Sequence, residues 1–139
     1  MDRLTNIGFR KVGAWSQTAS GIQCTLNECA EARNILYCFV CEQTVLYVGK
    51  TVQSLKKRMY GYQNPGASQS TNVKGNKNIS ILLSEGKPVD IFALPDNGLL
   101  HFGVFHINLA AGLEDSIVKS LNPIWNKTGT ANKAIQGTS

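Results

Sequence analysis

The chain has 139 residues, 42% of them hydrophobic and 17% charged, with fourteen Lys and Arg against nine Asp and Glu. That supports one globular domain with its own core and excludes a disordered chain. No apolar run is long enough to span a bilayer, and the start, MDRLTNIGFR, has no apolar signal segment, so a cytoplasmic protein without a membrane partner is expected. The net charge of +5 favours a polyanionic partner, and basic residues cluster in GKTVQSLKKR and NVKGNK.

In chain order, residues 1–34 mix short apolar pieces (Phe9, Val12, Trp15, Ile22, Leu26) with Gly and Ser. They predict one or two short strands and a loop or helical turn, as an N-terminal extension packed on or next to the core. Leu36 to Cys41 and Val45 to Val48, rich in β-branched and aromatic residues around a polar break, predict a β-hairpin. Tyr37 and Tyr47 share a sheet face if the connection has three residues, Glu42-Gln43-Thr44, which sets Phe39 opposite Tyr47. A two-residue Glu42-Gln43 turn puts Val48 on the Tyr37 side instead.

SLKKRMYGY predicts a helix capped by Thr51 or Ser54, with Leu55, Arg58, Met59 and Tyr62 on one stripe. An arginine on a core-facing stripe is costly unless an anion meets it. Lys56 and Lys57 lie on the outer faces, where solvation suffices to explain them. Residues 63–78, QNPGASQSTNVKGNKN, read as a long polar loop, of a kind that is often functional. Gln69 and Asn72 there suit adenine edges, and Lys74 and Lys77 suit phosphates.

ISILLSEG predicts a helix closed by Gly86, KPVDIFAL a third core strand and PDNG a turn. LLHFGVFHI is apolar, either strand or irregular core filler. NLAAGLEDSIVKSLNP predicts a helix opened near Asn108 and stopped by Pro123. Glu114 shares the face of Ile117, Val118 and Leu121 and so requires a cation or a metal, while Asp115 and Lys119 pair on the polar side. The tail, 129–139, is predicted to be disordered.

Several motifs fail. VGKT lacks the glycine that a phosphate loop needs five positions earlier. Cys24, Cys29, Cys38 and Cys41 have a loosely zinc-like spacing, but Cys38 and Cys41 lie three apart in an apolar strand, so buried thiols are the better reading. His101 and His106 have no metal-ligand spacing.

Tyr37, Tyr47, Gly49, Lys50, Arg58, Tyr62, Glu114 and Asn126 remain as a set. Each alone has a dull explanation, including packing for the tyrosines and an Arg58–Glu114 bridge. Together, ILY and YVG ten residues apart, then GKTVQSLKKR, then GLEDSIVKSLNPIWN, resemble the GIY-YIG nuclease superfamily over 34–127. The likeness is to its small phage endonucleases and type II restriction enzymes. Ile35 and Leu36 stand where the family name has Gly-Ile. The resemblance implies an α/β (α+β) domain over 35–128, a small mainly antiparallel sheet flanked by helices.

It also implies a metal-dependent endodeoxyribonuclease acting on double-stranded DNA, leaving 5′-phosphate and 3′-hydroxyl ends. Tyr37 and Tyr47 would be the signature tyrosines, Arg58 the catalytic arginine and Tyr62 a residue near the scissile phosphate. Glu114 would be the carboxylate ligand of one Mg²⁺ or Mn²⁺, with Asn126 beside it. A tyrosine base needs a lowered pKa, which Lys50 and Arg58 are expected to supply. Lys56, Lys57, Gln69, Asn72, Lys74 and Lys77 would contact DNA. One metal site per chain implies a homodimer, or dimerisation on DNA, for cutting both strands. The rival readings are a catalytically idle nucleic-acid-binding module on the same fold and a zinc-stabilised RNA-binding protein.

Overall fold

The computed structural model describes residues 1–95 and 101–127. After a short helix α1 (Asp2–Asn6), the chain forms β1 (Arg10–Thr18) and β2 (Gly21–Leu26), joined at Gly21, whose φ of 130° suits glycine. Strands β3 (Ile35–Cys41) and β4 (Thr44–Thr51) make the second hairpin, followed by α2 (Leu55–Gln63) and α3 (Ser70–Ser84). Next come β5 (Val89–Pro95), a small hairpin of β6 (His101–Phe102) and β7 (Phe105–His106), α4 (Leu109–Leu121) and a 3₁₀ turn, Ile124–Asn126. The five long strands form one sheet in the order β2-β1-β5-β3-β4, antiparallel throughout, so the fold is α+β.

Residues 1–34 are therefore not an extension beside a finished core. β1 pairs along β5, and Val12, Trp15 and Ile22 are buried with the residues of β3 and α2. A sheet of β5, β3 and β4 alone would expose one flank of β5, so the chain closes it with its own first strand.

Two sequence expectations need correction here. The hairpin connection is the two-residue turn Glu42-Gln43, both residues at positive φ (49° and 73°), not the three-residue loop. Phe39 nevertheless lies opposite Tyr47, because the register shifts between Phe39 and Val40 and leaves Leu46 as an extra residue in β4. The bulge restores the parity that the short turn removes, and Tyr37 and Tyr47 share a face.

The second correction concerns 63–78. The loop ends at Gln69, and α3 begins at Ser70, so STNVKGNKN is helical. In α2, the Ser54 hydroxyl accepts from the Lys57 N–H at 3.2 Å, which is the predicted N-cap. Gly86, at φ 78°, follows the end of α3 as expected.

Each sheet face has its own layer. Ile35, Tyr37 and Phe39 pack with Leu55, Met59 and Tyr62 of α2 and Ile79 of α3. Leu36, Cys38, Val40 and Val48 pack with Leu4 of α1 and Ala110 and Ile117 of α4. Cys24 belongs to the first layer and Cys38 to the second, so the sheet separates them and the four free thiols do not converge on one metal. Of LLHFGVFHI, the described part takes the strand alternative, as β6 and β7, and is not core filler. Phe102, Val104 and Phe105 are 81%, 89% and 73% exposed. The tail 129–139 and most of the PDNG turn lie outside the described residues. No described helix is long and apolar enough to cross a membrane.

Candidate active site

Register decides which side chains meet. Tyr37 is paired with Gly49 and Phe39 with Tyr47, so the tyrosines lie diagonally on one face, ring centroids 6.2 Å apart. A Cβ on Gly49 would lie 2.7 Å from the Tyr37 hydroxyl oxygen and 2.8 Å from the Tyr47 ring. The glycine of YVG is therefore the space in which the two tyrosines approach. Gly75 does the same on α3, where a Cβ would come within 2.6 Å of the Tyr62 ring.

From these rings a hydrogen-bonded chain runs outward. The Tyr37 and Tyr62 hydroxyls are 2.6 Å apart, and Arg58 Nη2 donates to the Tyr62 hydroxyl at 2.9 Å, its guanidinium 4.2 Å above the Tyr62 ring. Arg58 Nη1 donates to Asn72 Oδ1 at 2.6 Å; Asn72 Nδ2 donates to Gln69 Oε1 at 3.0 Å, which also accepts from the Gly66 N–H. Asn72 is 8% exposed, with both ends of its amide engaged, so it stands behind Arg58 and is not free to reach a base edge. Gln69 is committed to the same chain. In this structure the pair holds the arginine.

Arg58 makes no ion pair with Glu114 either. Among the described residues its partners are neutral, so its positive charge is free to meet an external anion.

The expected lowering of a tyrosine pKa does not occur at Tyr37 or Tyr62. Burial pushes both hydroxyls up, and the neighbouring Arg58 offsets only part of it. Tyr47 is the signature tyrosine that remains half-buried, and its ring lines a cleft of about 580 Å³ with Tyr62, Lys74, Trp125, Asn126 and Lys127. Lys74 thus reaches the cleft, whereas Lys77 is exposed on α3 away from it.

Lys50 and Glu114 lie across the sheet from the tyrosines. Lys50 is paired with Leu36, on the α4 face, and its ammonium is 3.8 Å from the Glu114 carboxylate. Glu114 is held on that face by the spacing that buries Ile117 below it. A phosphate reached by both groups must sit at the free edge of β4, the outermost strand.

Asn126 covers that edge. Its Oδ1 accepts from the Val48 N–H at 2.8 Å and its Nδ2 donates to the Val48 carbonyl at 2.7 Å, the pattern of a missing neighbour strand. Its amide fixes the backbone between Tyr47 and Gly49.

No group of three or more His, Cys, Asp or Glu among the described residues could hold an ion, and Glu114 is the carboxylate beside Lys50 on the α4 face. Mg²⁺ keeps much of its water and takes one or two carboxylates with substrate phosphate oxygens, so the Glu114 side chain, 28% exposed, fits such an ion beside a phosphate. A cation on Glu114 would displace the Lys50 ammonium. Lys56 and Lys57 lie elsewhere, on the outer side of α2.

Sequence reasoning missed Asn72 as the partner of Arg58, Gly75 as the seat of Tyr62 and Trp125 as a cleft wall. Only Trp125, in NPIWN, carries a sequence signal.

No protein-family model and no curated protein matches the sequence. Solved structures are similar in fold. A bacteriophage T4 EndoII variant with a glutamate replaced by alanine superposes with a TM-score of 0.69, at 22% identity over 90% of this chain and 95% of that one. Restriction endonuclease HPY188I in complex with product DNA gives a TM-score of 0.53, at 15% identity over 86% of this chain and 76% of that one. This chain shares its fold with those two enzymes.

Proposed function

We propose that this chain is a divalent-metal-dependent DNA endonuclease that hydrolyses phosphodiester bonds to 5′-phosphate and 3′-hydroxyl ends. The observation that carries the reading is Arg58. It is a half-buried cation without a carboxylate partner among the described residues, oriented by Asn72 and Tyr62 at the tyrosine pair, in a fold shared with two nucleases.

Arg58 binds non-bridging oxygens of the scissile phosphate and stabilises the charge that builds there. Tyr47, facing the cleft, orients the attacking water, whose proton passes to solvent, while the Tyr62 hydroxyl, held by Tyr37, accepts from Arg58 and keeps it in place. Lys74 draws the strand into the cleft. Glu114 would hold Mg²⁺ or Mn²⁺, which supplies Lewis-acid help to the leaving 3′ oxygen when bound. Lys50, released from Glu114, turns to the phosphate. With one such centre per chain, a double-strand break takes two protomers, and a homodimer, free or formed on DNA, supplies them. Incubation with supercoiled plasmid and Mg²⁺, followed by end sequencing, tests this. Nicked or linear product with the stated ends supports it, and intact plasmid under Mg²⁺ and Mn²⁺ overturns it.

One observation favours a second reading, a nucleic-acid-binding module without catalysis: the Lys50 ammonium already neutralises Glu114 at 3.8 Å. That reading predicts DNA binding unaffected by Mn²⁺ and no cleavage under any divalent cation.

A further inference from the structure

A second cavity, distinct from the tyrosine cleft, is a groove of about 740 Å³ on the opposite side of α2, between that helix, β2 and the 27–34 segment. Its walls are fastened together. The Cys24 N–H donates to Gln63 Oε1 at 3.1 Å, and the first-turn N–H groups of Leu55 and Lys56 donate to the Ala32 and Ala30 carbonyls, both at 2.9 Å. The groove is therefore preformed, and the helix N-terminus is already satisfied and offers nothing to an anion.

The side chains do offer something. Arg33, Lys56 and Lys57 line the groove, exposed, and none has an ion-pair partner among the described residues; Glu31 is the one carboxylate on the lining. Tyr60 stands at the same rim, 61% exposed, over a floor that includes Leu26 and Met59. Three uncompensated cations beside an aromatic face is the chemistry that takes a phosphate and stacks a base. A paired base has both faces covered by its neighbours, so this combination suits an unpaired one. The volume lies within the roughly 300–1,000 Å³ of small-ligand sites.

We propose that the groove between β2 and α2 binds one unpaired nucleotide of a DNA strand, its phosphate on Arg33, Lys56 and Lys57 and its base on Tyr60. The proposal rests on the nuclease reading for its choice of DNA. Arg58 and Tyr60 project from opposite sides of α2, so the groove is one helix diameter, roughly 10–12 Å, from the arginine. A base flipped out of the duplex, or a strand end freed at a nick, reaches it from the cleft.

The test is fluorescence anisotropy of a labelled eight-residue oligothymidylate with the full chain in EDTA, which prevents cutting. Wild type binds it, Tyr60→Ala weakens binding roughly tenfold, Tyr60→Phe restores it, and Arg33→Gln also weakens it. Tyr60 and Arg33 are exposed, so these variants fold. Equal affinity of Tyr60→Ala and wild type overturns the proposal. Plasmid cleavage by wild type is measured alongside. A chain that cuts plasmid but binds the oligomer without Tyr60 loses the groove and keeps the nuclease; one that binds through Tyr60 but never cuts keeps the groove and loses the nuclease.

Discussion

Arg58 is oriented by an amide where a carboxylate would bind it more tightly, and that choice can be perturbed directly. Asn72→Asp keeps the shape and leaves an oxygen about where Oδ1 now stands, 2.6 Å from Arg58 Nη1. A unit charge there interacts with the guanidinium by about 4 kcal/mol at 4 Å and an effective dielectric of 20. The pairing competes with any phosphate. A charge-assisted hydrogen bond is worth about 1.5–3 kcal/mol, so its loss in the transition state lowers kcat roughly 10- to 100-fold, with KM little changed. Stability moves the other way or not at all. The new ion pair is offset by losing the Nδ2 donor to Gln69 Oε1, about 1 kcal/mol. Asn72→Ala contrasts with it: a part-buried guanidinium nitrogen loses its acceptor, costing about 1–3 kcal/mol, and the thermal midpoint falls by roughly 4 °C per kcal/mol. Single-turnover cleavage and thermal unfolding of both variants give the answer. A folded Asn72→Asp that cuts at the wild-type rate refutes the argument that a neutral partner keeps Arg58 available.

Other outcomes follow from the same geometry. Gly49→Ala pushes a methyl into the Tyr37 hydroxyl and the Tyr47 ring, costing about 1–3 kcal/mol of stability in a denaturant titration and abolishing most cleavage. Asn126→Asp can accept from the Val48 N–H but cannot donate to the Val48 carbonyl, so hydrogen exchange at the β4 edge speeds up and activity drops; unchanged exchange would show that the clamp is idle. Burial raises Cys24 and Cys38 from 9.0 to about 12, and raises Tyr37 and Tyr62 above 10.0. Each folded pKa exceeds the unfolded one, so their contribution is intact below pH 9 and is lost as pH climbs through 9–12, at up to about 1.4 kcal/mol per pH unit per group. Thermal midpoints measured from pH 7 to 11 should fall only on the alkaline side.

The shared face of the tyrosines was legible in the sequence, though for an incomplete reason. Alternation and parity say what register is needed, but nothing in VLYVG marks Leu46 as an inserted residue, so the bulge stays hidden. The start of α3 was hidden by its own function. A helix is recognised by its apolar stripe, and the inward positions of its first turns, Asn72 and Gly75, serve Arg58 and Tyr62 in place of a core. Only Ile79, two turns on, looks like packing. Glu114 was legible because Ile117 and Leu121 repeat on its face; its partner was not, since pairing with Lys50 depends on which sheet face α4 covers. LLHFGVFHI was legible as strand, in β6 and β7, but not as exposed, because hydrophobicity reports what can be buried, while Phe102 and Phe105 stand in the open.

Glu114 is where the central claim is most exposed. The Lys50 pair it makes is partly exposed and worth at most about 1 kcal/mol, so Glu114→Gln folds. The decisive measurement is cleavage of supercoiled plasmid in Mg²⁺ by wild type and Glu114→Gln, with DNA affinity and thermal midpoint recorded on the same preparations. A metal-dependent nuclease predicts that wild type cuts, and that the variant folds, binds DNA as tightly or more tightly, and loses several orders of magnitude in rate. A folded, DNA-binding Glu114→Gln that cuts like wild type contradicts it.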